Sequence, residues 1–216
     1  MLITSDKLQE LRACVEAVNF FEEHYKEIEI VELLRDVVKY EEEISKEYNS
    51  NVYGWRYWLI ASILSRKAAV RFAVYAAEKV LHIYEDEYPE DKRPREAIEA
   101  AKAYLENPKA DAIAYAARDA AYDAYAAWAA YAVRDAYDAD GWVAYVANAA
   151  WAARAVACVT AYAARGETAN AAYVVGDAAW YASYAPYVAA YAAASATAVK
   201  DEILEFGIKL LQEEEE

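Results

Sequence analysis

The chain has 216 residues, a formal net charge of −15 and 59% hydrophobic residues, with only five glycines and four prolines. This composition excludes a largely disordered chain and supplies enough apolar surface for a sizeable core, in one large helical domain or two closely packed subdomains. The excess acid repels phosphate backbones, which argues against nucleic-acid binding through a broad basic surface and favours a basic protein partner; its plainer reading is solubility.

In chain order, helix signals are frequent and strand signals almost absent. The start from Met1 to Lys7 has no basic region followed by an apolar one, so no signal peptide is expected and a cytoplasmic location is. Ser5 followed by Lys7, Leu8, Leu11, Val15 and Val18 predicts an amphipathic helix with Ser5 as its cap. A second, acidic helix is predicted from about Glu29 through Val31, Leu34, Val38 and Ile44, ending at Asn49-Ser50-Asn51. Residues 1–50 carry 13 acids against 6 bases and form an acidic amphipathic N-terminal segment.

Gly54-Trp55 precedes a third predicted helix, whose Trp58, Ile60, Ile63, Leu64, Val70, Val74, Val80 and Leu81 supply an ordinary aliphatic core until Pro89 ends it. Pro94 with Glu96 and Glu99 close behind marks a helix start, and Asn107-Pro108 stops that short helix at Leu105.

Between Leu105 and Leu204 the chain has no leucine, phenylalanine or methionine, and only Ile113 and Ile203 for isoleucine. Three long alanine-rich helices are predicted there, separated by Asp138-Ala139-Asp140-Gly141 and Arg165-Gly166-Glu167-Thr168. Asp140 and Thr168 suit N-caps and Gly166 a C-cap. Helices of about 24 to 29 residues span about 36 to 44 Å and pack as antiparallel neighbours. The fold expected is therefore all-α: a multi-helix bundle core over 51–212, made of long, closely packed Ala/Tyr-rich helices behind shorter amphipathic ones. An acidic tail, 213–216, is expected to fray.

The stretch 178–199 is uncharged, but it is mostly alanine, tyrosine and serine with Pro186 in its middle, so it predicts a buried helix and no membrane span. Within it and just before it, Tyr173, Asp177, Trp180, Tyr184, Tyr187 and Tyr191 follow a heptad rhythm. Trp151, Arg154, Cys158 and Tyr162 form a parallel stripe, and Tyr115, Tyr122 and Tyr125 lie near Arg118 and Asp119. Two readings stay open. As core, Asp119, Arg154 and Asp177 form a buried polar network serving the phenol hydroxyls. As a pocket, the same aromatic and polar groups make a small-molecule or enzyme site near Asp177 and Arg154.

Catalytic constellations are missing from the pattern. Neither His24 nor His82 has a glutamate three residues before it, as a di-iron bundle requires, and no phosphate loop, nucleophile elbow or Cys/His metal spacing occurs. Glu78, His82 and Glu85 share a helix face, a pattern explained by i,i+4 contacts. Cys14 and Cys158 read as buried small hydrophobes. No catalytic residue, cofactor or metal is assigned. Few asparagines, glutamines and glycines beside many charges lean towards a heat-adapted source.

Arg56-Tyr57-Trp58, the segment Tyr84 to Ala101 and the alanine repeats after it resemble the bacterial immunity proteins of polymorphic toxin systems. That all-helical family has a similar Asp-x-Arg-Pro-Arg-x-Ala-Ile-x-Ala segment, here Asp91 to Ala100. The likeness covers roughly residues 52–200 and departs at Tyr162 and Tyr187, where the family commonly has histidine. It implies a non-enzymatic protein-binding module that neutralises a cognate toxin, a basic one given the acidic surface. The likeness leaves residues 1–50 unexplained; they and the basic cluster Arg66, Lys67, Arg71, Arg93 and Arg95 are the surfaces to test for a partner, and the alternative for that cluster is a set of intramolecular ion pairs with Glu85 to Asp91. A structural homo-oligomer is the third reading.

Overall fold

The computed structural model describes residues 1–48, 52–107 and 192–215, together with 152, 155, 156, 158 and 160. The fold is all-α. Strand β1 (Leu2–Thr4) leads into helices α1 (Ser5–Glu10) and α2 (Val15–His24), then β2 (Glu27–Glu29), α3 (Ile30–Asp36), a 3-10 turn (Val37–Tyr40) and α4 (Glu41–Glu47). Helices α5 (Val52–Ile63), α6 (Arg66–Glu87), α7 (Arg93–Glu106) and α8 (Ala192–Glu215) complete the described elements.

Among the described residues two three-residue strands stand beside the helices, in keeping with the near-absence of strand signals. β1 and β2 pair antiparallel, with Leu2 opposite Glu29, Ile3 opposite Ile28 and Thr4 opposite Glu27. Three residues are too few to show a period of two in the sequence; what holds them is the fully buried Ile3 and the N-terminal ammonium on Glu29 at 2.9 Å.

The first predicted helix is two. Thr4, not Ser5, caps α1 by accepting from the Lys7 N–H at 3.1 Å, while the Ser5 hydroxyl donates to Glu22. α1 ends when Arg12 turns left-handed at φ 63°, which brings Ala13 N–H onto Leu8 O and Arg12 N–H onto Gln9 O, each at 2.9 Å. This is a Schellman closure with arginine where glycine is usual. Arg12→Gly removes the Cβ penalty of that conformation, and its expected effect is a gain of about 0.5–1 kcal/mol, read as a Tm rise of about 1–4 °C. A lower Tm would show that the arginine side chain contributes more than its backbone costs.

The acidic helix expected from Glu29 is α3 and α4 joined by the 3-10 turn. The third predicted helix also divides: Gly54 and Trp55 lie inside α5, and a break at Leu64 and Ser65 starts α6, where Ser65 Oγ accepts from the Ala68 N–H at 3.3 Å. Pro94 sits in the first turn of α7, as expected, and the helix runs to Glu106, one residue beyond the predicted stop at Leu105, with Asn107 as its C-cap.

Helices α6 and α7 form an antiparallel hairpin bridged by Lys102 to Glu78 at 2.6 Å and by Arg95 to Glu85. Buried alanines Ala69, Ala73, Ala76 and Ala77 on α6 permit close approach. α8 lies against α5 and α6, burying Ile203, Leu204, Ile208 and Leu211 on one face. Its register is marked by charge: Lys79 pairs with Glu202, Arg35 with Glu205 at 3.1 Å and Arg71 with Glu213 at 3.0 Å.

The expected frayed tail is also corrected. α8 runs to Glu215, and both carboxylate oxygens of Glu214 accept from the Ser65 N–H at 2.9 and 3.1 Å. A carboxylate is favoured there by the positive end of α6. One cluster of buried residues runs from Ile3 through Phe21, Ile44, Tyr57 and Phe72 to Ile208, so the acidic first 48 residues share a core with the rest. Ala152, Ala155 and Val156 join it; the three long alanine-rich helices, the aromatic stripes and most of the uncharged stretch 178–199 otherwise lie outside the described residues.

Candidate functional site

The predicted polar network falls outside the described residues, since Asp119, Arg154 and Asp177 are all among those not described. Among the described residues of that part of the chain, Thr160 is fully buried and donates its hydroxyl to Val156 O at 2.9 Å. Cys14 and Cys158 correct the expectation of two buried thiols: Cys14 is exposed and Cys158 half-buried. Cys14 stands at the N-cap of α2, outside the core, because the turn at Arg12 carries it to the surface. What burial it has still raises its thiol above the ordinary value.

The five bases do not form one patch. Arg66 and Lys67 open α6 and are exposed, and Arg71 follows one turn later. Arg93 and Arg95 open α7, at the opposite end of the hairpin, where Arg95 meets Glu85. Glu85 lies 19 positions along α6 from Arg66, a separation of about 28 Å at 1.5 Å per residue.

Three of the five are engaged within the chain. Arg93 reaches Asp91 through Nε at 2.9 Å and Arg95 reaches Glu85 through Nε at 2.6 Å. Arg71 meets Glu213 as above. Asp91 also accepts from the buried Tyr84 hydroxyl at 2.7 Å. The Arg93 guanidinium, followed in effect by the Tyr84 bond, holds the Asp91 carboxyl down to about 2 against the opposing effect of burial. Arg95 holds Glu85 below its ordinary value in the same way.

Acidic side chains converge elsewhere, on α2 and α4. The Tyr48 hydroxyl donates to Glu23 at 2.8 Å, and it is pushed up to about 12, first by that bond, then by burial and by the charges of Glu23, Glu47 and Glu43. Glu16, Glu22 and Glu23 on α2 are exposed, as are Glu41, Glu42 and Glu47 on α4. Beneath them lies an aromatic floor. Phe20 packs on Tyr40 at 5.2 Å, Tyr48 at 6.0 Å and Trp55 at 5.6 Å between ring centroids. The Tyr25 hydroxyl donates to Asp36 at 2.7 Å, and burial followed by Asp36 raises it. The sequence marked residues 1–50 as acidic; the pairing of α2 with α4, and the aromatics under it, was not visible because the partners lie about 20 residues apart.

Below this floor is an apolar cavity of about 50 Å³, lined by residues including Leu8, Ala17, Phe21, Leu34, Trp58 and Arg56. Arg56 is 4% exposed, and among the described residues it is the one charged group in the lining.

Comparison with protein-family models, curated proteins and solved structures finds no match to this chain. Among the described residues no helix is long and apolar enough to cross a membrane.

Proposed function

We propose that this chain is a non-enzymatic protein-binding module whose α2–α4 face docks a basic protein, in the manner of an immunity protein neutralising a cationic toxin. The observation that carries this reading is the convergence of Glu23, Glu43 and Glu47 around Tyr48, above the half-buried Trp55. Tyrosine and tryptophan are the residues that anchor interfaces, and surrounding carboxylates steer a cationic partner and fix its orientation. Arginine or lysine of the partner would seat over the rings and against the acids.

The toxin reading rests on the resemblance around Asp91 to Ala100. In this structure Asp91, Arg93 and Arg95 brace the α6–α7 hairpin, so that segment would position the acidic face and leave contact with the partner to α2 and α4.

The test is binding of the full chain to a basic protein encoded beside its gene. Association is expected to slow by about tenfold or more as salt rises from about 0.01 to 0.15 M, over which the screening length falls from about 30 to 8 Å. Glu23→Lys with Glu47→Lys is expected to weaken the complex by a similar factor at low salt. A complex insensitive to both changes would place recognition elsewhere.

A further inference from the structure

His24 lies in the last turn of α2, wedged between two rings: stacked on Phe20 at 4.4 Å and edge-on to Tyr40 at 4.4 Å between centroids. Its Nδ1 is 2.9 Å from Phe20 O, and its Nε2 is 3.0 Å from the Glu43 carboxylate on α4. A carbonyl and a carboxylate both only accept. A neutral imidazole has a single N–H, so it can serve one of them and must turn a lone pair on the other; the imidazolium serves both.

The ring also sits at a helix end and between two aromatic rings. The C-terminal end of a helix attracts a cation, and ring faces attract it as well. Among the described residues, other charged and titratable groups about the ring have partners of their own, the Tyr40 hydroxyl with Tyr25 and Lys39. Tyr25, on the helix end itself, donates to Asp36 of α3; Lys39, over the Tyr40 ring at 4.9 Å, is paired with the same Asp36 at 2.7 Å; and the neighbouring Glu23 holds Tyr48. α5 contributes the uncharged indole of Trp55, through Phe20.

We propose that His24 is a proton-operated latch between α2 and α4, closed when both ring nitrogens carry protons and released when one is lost. The sign follows from the geometry: only the doubly protonated ring can donate to both Phe20 O and Glu43, so the second hydrogen bond is present at lower pH and absent from the neutral ring. Release frees Glu43 and loosens α4 without unfolding the core beneath.

Thermal unfolding of the full chain at about pH 5.5 and about pH 8 tests this with His24→Gln, Glu43→Gln and the double variant. At the lower pH each single change is expected to lower Tm by about 2–4 °C, and the double variant to fall no further than either alone. At the higher pH the losses shrink by at least half. Equal losses at both pH values, or additive losses at the lower one, would overturn the latch. Glu43 is 31% exposed, so Glu43→Gln carries the same comparison should His24→Gln fold poorly.

Discussion

Gly207→Ala is expected to destabilise the protein by about 1–2 kcal/mol although alanine is the better helix former. A Cβ at Gly207 would stand 2.9 Å from Ile60 Cδ1, 3.0 Å from Phe72 Cε2 and 3.1 Å from Ile60 Cγ2. Carbon atoms settle at about 3.5–4.0 Å, so α8 would have to lift by roughly half an ångström at its crossing with α5 and α6. Ile60 and Phe72 are both fully buried, so any shift of theirs must be taken up by packed neighbours. Overpacking of this kind costs about 1–3 kcal/mol, against about 0.5–1 kcal/mol recovered by replacing a helical glycine. Gly207→Val adds two further methyl groups at the same spot and is expected to cost about 3 kcal/mol or more. Thermal unfolding reads these as Tm losses of about 2–4 °C per kcal/mol. Ile60→Val in the Gly207→Ala background removes the closest atom and should restore part of the loss, a coupling that independent sites would not show. A rise in Tm for Gly207→Ala would mean that the helices are not in the contact described.

Asp91→Asn is expected to lower stability by about 2 kcal/mol at neutral pH, and to do so only there. The Asp91 carboxyl is held at about 2, against an ordinary 3.8, with its side chain only 13% exposed; a difference of that size corresponds to about 2 kcal/mol. The folded state binds the proton less readily than the unfolded one. The contribution is therefore complete above about pH 4 and is lost as pH falls from there through about 2. The stability gap between the natural chain and Asp91→Asn, measured by denaturant unfolding, should close over that window. A gap that persists at pH 2 would show that the shape of the side chain, and not its charge, supports Tyr84 and Arg93. The consequence reaches the acidic face indirectly, since Asp91 closes the α6–α7 hairpin and α6 in turn packs against α8, which pairs through Glu205 with Arg35 of α3.

Helix content and the main apolar faces were legible before any coordinates. The run of Val31, Leu34, Val38 and Ile44, and the Pro94 start of α7, are local signals that depend on spacing along one segment. Breaks were less so. Ser65 is a capping residue that a continuous apolar period from Ile60 to Leu81 conceals, and Arg12 adopts a conformation its identity does not advertise. The bases Arg66, Lys67, Arg71, Arg93 and Arg95 look like one cluster by composition, yet α6 and α7 run antiparallel and carry them to opposite ends.

By itself, then, the sequence determined the all-α class, the acidic character of the N-terminal segment and the amphipathic faces of the described helices, because each depends on residues within a few turns of one another. The tertiary structure alone decided that Glu213 and Glu214 fasten α8 to α6, that Glu23 and Glu43 meet Tyr48 and His24 across two helices, and that a Cβ at position 207 would crowd Ile60 and Phe72. Those outcomes depend on distances between segments up to 170 positions apart, which no local periodicity encodes.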